Sequence, residues 1–86
     1  MPLRLLPGEE DQSREASISE IDELIASSTN PSFVKSAEDF RDRFHDGDTL
    51  IERCTAKKAW DTLMGWAGFE IVRNGESVAA LTCKMN

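Results

Sequence analysis

The chain has 86 residues, 40% hydrophobic and 30% charged, enough for one domain with a modest core. No apolar run nears the ~20 residues that span a bilayer, and no basic stripe faces a phosphate backbone, which argues against membrane insertion and direct nucleic-acid binding. The net charge of -6 is concentrated early: residues 1–32 carry two basic and seven acidic side chains, residues 33–86 eight and nine.

Residues 1–16 hold Pro2, Pro7, Gly8 and a polar, charged run. Such a segment has too little apolar surface to offset its ordering entropy, so the composition predicts a flexible amino-terminal segment followed by a single domain over 17–86. The first nine residues are too short and interrupted for a secretory signal, and the expected location is cytoplasmic. Ser17-Ile18-Ser19-Glu20 has the form of a capping box, and Ile18, Ile21, Leu24 and Ile25 then recur on one helical stripe. The turn formers Ser27-Ser28-Thr29-Asn30, with Pro31 beyond them, should stop that helix. A second helix is predicted from Ser36, with Phe33, Ala37, Phe40 and Phe44 inward and Gly47 as a left-handed residue just past its end. Residues 49–54 read as a strand.

Thr55 is placed to cap a third helix, whose inner face would be Ala56, Ala59, Trp60, Leu63, Met64 and Ala67. That is the strongest helical period in the chain, and Gly65 and Gly68 are read as its end. Asn74-Gly75 then predicts a type I′ hairpin pairing Arg73 with Glu76, Ile71 with Val78 and Phe69 with Ala80. The last strand is apolar on both faces, which suggests a central position between residues 49–54 and 69–73. The predicted fold class is α+β: two amino-terminal helices, then β-α-β-β, with a mainly antiparallel three-stranded sheet and a carboxyl-terminal hairpin.

Four groups of residues are candidates for chemistry or contact. His45, Asp46 and Asp48 around Gly47 have the donor types of a hard-cation site, although the longer oxygen ladder of a calcium loop is missing; the alternative is a helix end and turn. Cys54 and Cys83 lack zinc spacing, and read as reduced thiols or, alternatively, as a redox bridge between neighbouring strands. His45 and Cys54 stand too far apart along a turn and strand for a nucleophilic pair. Trp66, on the connector between helix and hairpin, is either packed against Trp60 or exposed as a contact residue. Arg41, Arg43 and Arg53 have Asp39, Asp42 and Glu52 as candidate ion-pair partners, and the expected account is a solvated, mixed-charge face.

The order Gly47-Asp48, Trp60, Gly65-Trp66-Ala67-Gly68-Phe69, Val72-Arg73-Asn74-Gly75, Val78 and Met85-Asn86 resembles a group of short uncharacterised bacterial proteins. The resemblance covers about the last forty residues and implies a bacterial or phage source and a shared fold; it supplies no activity, cofactor or catalytic residue.

The expectation for function is a small non-enzymatic protein-binding or regulatory module without a cofactor. Its contacts would run through Trp66 and the stripe Ile18, Ile21, Leu24 and Ile25, with self-association as a homodimer one form of partnership. Two other classes compete: a metal- or ligand-binding protein or enzyme using His45, Asp46 and Asp48, and an acidic inhibitor mimicking nucleic acid through residues 9–23.

Overall fold

The computed structural model describes residues 3–85, so Met1 and Pro2 of the segment read as flexible, and Asn86 of the terminal pair, lie outside the described residues. The chain runs β1 (Gln12–Ala16), α1 (Ile18–Ser27), α2 (Pro31–Asp42), β2 (Thr49–Cys54), α3 (Lys57–Asp61), β3 (Trp66–Arg73) and β4 (Glu76–Met85). The class is α+β, but the sheet has four strands in the order β1-β2-β3-β4, each antiparallel to its neighbour. The three-stranded expectation fails because Gln12–Ala16, inside the polar leading segment, pairs with β2 from Gln12↔Cys54 to Ala16↔Leu50.

The capping box starts α1 at Ser17, with the Glu20 carboxylate accepting the Ser17 amide at 2.9 Å. The start of α2 is a correction. It lies at Pro31, five residues before Ser36, because Asn30 is its cap: the Asn30 side-chain oxygen accepts from the Ser32 and Phe33 amides at 3.0 and 3.3 Å. Pro31 then occupies the first helical position, where its missing N–H costs nothing. Gly47 does adopt a left-handed φ of 91°, but in the turn before β2 and not at the helix end, which is Asp42.

Alternation along the strands places Leu50, Phe69, Ile71 and Leu81 on one sheet face. There they meet Ile21 of α1 and Ala37 and Phe40 of α2 in a single core, with Ile18, Leu24, Ile25 and Phe33 packed at its margin. Both long helices therefore cover the same face.

The third predicted helix is cut to the five residues of α3. Leu63 takes a left-handed φ of 63°, and Leu63 and Met64 are each 75% exposed. The apolar sheet face is already filled by α1 and α2, and the opposite face, with Ser13, Arg53, Glu70 and Thr82, is largely polar. Gly65 instead lies flush against the Trp60 ring, where a Cβ would come within 2.2 Å, and the chain enters β3 at Trp66.

The hairpin turn forms at Asn74 and Gly75, with φ of 54° and 81°, and Arg73 pairs with Glu76 as its two residues require. Beyond that the expected register is corrected: Ile71 pairs with Ala79 and Phe69 with Leu81, because a bulge between Ile71 and Val72 takes up an extra residue of β4. The bulge turns Ala79 and Leu81 inward and leaves Val78 outside. β4 is also an edge strand and not the central one; β3 is flanked on both sides.

A second register shift lies between Ala67 and Gly68. A Cβ on Gly68 would stand 2.0 Å from the Leu81 carbonyl oxygen, an approach only glycine permits. Gly68→Ala should therefore cost more than about 2 kcal/mol in urea unfolding. Val78→Ala, at an exposed site of the same hairpin, should change stability by less than about 1 kcal/mol.

Candidate functional site

With the helices on one side, the other sheet face is left without a helical cover. Its rows read Ser13, Arg53, Gly68, Thr82 and Glu15, Ile51, Glu70, Ala80 across the four strands. Trp66 is the first residue of β3 and not a connector residue as the sequence suggests. Its indole lies over Gly68: a Cβ there would sit 3.0 Å from two of its ring carbons. The indole Nε1 donates to Thr82 Oγ1 at 2.8 Å, while the backbone amide of Trp66 donates to Thr55 Oγ1 at 2.9 Å. The ring is thus held flat across two strands, half-buried. Beside it Arg53 pairs with Glu70 at 3.2 Å, and Ser13, Arg53, Thr55, Trp66 and Glu70 border a cleft of about 310 Å³.

The α1 stripe has a different fate. Ile21 is fully buried, and Ile18, Leu24 and Ile25 pack against the same core, so the stripe covers its own sheet. The ion pair of Arg41 with Asp22 ties α2 to α1.

At the 45–48 turn, Asp48 is committed within the chain. Its carboxylate accepts from Arg73 Nε at 2.9 Å and Nη2 at 2.7 Å, and from the His45 amide at 2.9 Å. These bonds, the Arg73 guanidinium first, hold its carboxyl down to about 2. His45 and Asp46 are exposed, and among the described residues no three His, Cys, Asp or Glu side chains are grouped to hold a metal ion. The turn is fastened to the hairpin, as a structural joint. Cys54 and Cys83 are both free thiols; burial pushes Cys54 upward and Cys83 up to about 11, which disfavours a nucleophilic thiolate at either.

A heavily bonded polar group lies where the sequence suggests only a solvated, mixed-charge face. Glu52, in the middle of β2, is fully buried. Its carboxylate accepts from the Arg4 amide at 3.1 Å, the Leu5 amide at 3.0 Å and Arg14 Nε at 2.8 Å, with Arg14 Nη2 2.7 Å away. Arg14 also binds Glu20, whose carboxyl is held low by that bond against the opposing effect of burial. Period-two alternation was the available signal, since it puts Glu52 on the same side as Leu50 and Cys54.

Comparison with protein-family models, characterised proteins and solved structures finds no match. No helix among the described residues is long and apolar enough to cross a membrane.

The depressed carboxyls set an acid limit. Glu20 and Asp48 are ionised more readily in the folded than in the unfolded chain, so their stabilisation is present above the ordinary carboxylate range and is lost on acidification. Thermal midpoints should be level above about pH 5 and fall below about pH 4, with Arg73→Ala flattening the most acidic part of the curve. Arg14→Ala, which strands the buried Glu52 charge, should cost on the order of 3 kcal/mol at neutral pH by denaturant titration.

Proposed function

We propose that this chain is a small protein-binding or regulatory module of bacterial or phage origin that acts in the cytoplasm through the uncovered face of its sheet. The observation that carries this reading is Trp66, fixed across Gly68 by its bond to Thr82 on the face without helices. Tryptophan contributes most at a contact when its position is set before the partner arrives, because little side-chain entropy is then lost on binding. The cleft beside it, lined by Trp66 and by polar side chains, has room for a side chain of a partner, and the Arg53–Glu70 pair supplies a polar rim of mixed sign. Mixed charge suits a protein surface better than a polyanion. The two free thiols fit a reducing compartment.

The test is affinity capture from a bacterial lysate, with thermal melts to verify that each variant is folded. Trp66→Ala and Thr82→Lys should both lose the captured protein, whereas Glu38→Lys, on the outer side of α2, should retain it. A captured set that survives both sheet-face substitutions would place the contact elsewhere and overturn the reading.

A further inference from the structure

The sheet has two edges, and they are protected unequally. β1 is five residues long, contains Arg14 and Glu15, and follows the acidic stretch Glu9-Glu10-Asp11. β4 is ten residues long, contains no proline, and has seven uncharged residues in succession between Glu76 and Lys84. Natural sheets seldom leave so long an uncharged edge bare, because its free N–H and C=O groups accept a further strand.

The β4 sequence is also complementary to itself. In antiparallel pairing about Ala80, Glu76 stands opposite Lys84 of a second copy, Val78 opposite Thr82, and Ala79 opposite Leu81. Two bulges against β3 lie within this alignment. Glu76 pairs with Arg73 and Lys84 with Ala67, both on the side of β3 that carries Phe69 and Ile71, so the two charges share the helix-bearing face. Neither Glu76 nor Lys84 has an ion-pair partner among the described residues. On that same side Ser36, Asp39 and Phe40 of α2, and Arg43 just past its end, border with Ala79 and Ala80 a cavity of about 220 Å³ between helix and strand. A two-fold axis between the paired Ala80 residues, normal to the sheet, keeps α2 of both copies on one face and reverses one relative to the other. Glu76 and Lys84 therefore meet twice, once on each side of the axis, in an isologous contact.

We infer that this chain forms a symmetric dimer through antiparallel pairing of β4 with β4 of a second copy, producing one continuous eight-stranded sheet. The pairing removes the bare edge and extends the core past Leu81, which is valuable to a domain this small. It uses a different surface from the Trp66 face and stands or falls separately from it.

Sedimentation equilibrium from micromolar to submillimolar concentration tests the inference, with circular dichroism verifying the fold of each variant. The wild type should dimerise. Glu76→Lys and Lys84→Glu should each weaken the dimer by at least about tenfold, since each creates like-charge pairs twice across the axis. The double variant Glu76→Lys/Lys84→Glu should recover wild-type association. Ala80→Lys, an exposed position that meets its own copy on the axis, should be monomeric. A monomeric wild type, single reversals that dimerise unchanged, or a double reversal that fails to recover would each overturn the proposed pairing.

Discussion

The carboxylate of Glu52 is the constraint on which the amino-terminal third depends. β1 has little apolar content of its own, and a five-residue polar strand at a sheet edge has a small intrinsic preference to be ordered. It is held because Arg14 reaches inward to Glu52 and Glu20, joining β1 to β2 and to the first turn of α1 in one set of bonds. The same carboxylate accepts the Arg4 and Leu5 amides, so the segment preceding β1 is fixed to the sheet as well. A buried charge pair adds little to stability relative to apolar packing, but each member is costly to remove once the others are in place. Glu52 therefore sets position more than it supplies energy: it determines which segment lies on the β2 edge.

That arrangement makes the sheet one-sided. α1 and α2 follow β1 directly and occupy the face bearing Leu50, Phe69 and Ile71, leaving the row through Arg53, Gly68 and Thr82 uncovered. Gly68 links the two faces of the problem. Its missing side chain admits the Leu81 carbonyl within the ladder and also gives the Trp66 ring a flat bed. One residue thus serves both the bulge that shapes β4 and the display of the aromatic ring.

Features legible in the sequence are those whose partners lie a few residues away. The Ser17 capping box, the Asn74-Gly75 turn and the bounds of β2 were all readable, because each is satisfied locally. β1 was not, since its bonds to Glu52 cross 38 positions and nothing in residues 12–16 announces them. The edge position of β4 was hidden because both its faces are apolar, Ala79, Leu81 and Cys83 toward the core and Val78 and Ala80 away from it, although the outer pair is exposed. Pro31 was misread for a different reason: the same residue can follow one helix or open the next, and the Asn30 bonds that decide between them are seen only in the structure. Of the candidate site, Trp66 was legible as a residue, whereas its neighbours Arg53, Glu70 and Thr82 come together only through strand pairing.

The failed third helix shows why periodicity alone does not fix an element. Ala56, Ala59, Trp60, Leu63 and Met64 have the spacing of an amphipathic stripe, but a stripe stabilises a helix only by removing apolar area from water, about 1.5–3 kcal/mol for a fully buried large side chain. Here the apolar sheet face is already taken by Ile21, Ala37 and Phe40, and the uncovered face is largely polar. Trp60 is instead fixed locally, its Nε1 donating to the Thr55 carbonyl oxygen at 3.2 Å with Gly65 packed on its ring. With that anchor made within one turn, continuing the helix would bury nothing more and would carry the chain away from β2. Reversing at Leu63, at the cost of roughly 1–2 kcal/mol for a left-handed non-glycine residue, lets residues 66–73 gain pairing with two strands. The exposed Leu63 and Met64 follow from that choice: two apolar side chains are left in water so that β3 can form the centre of the sheet.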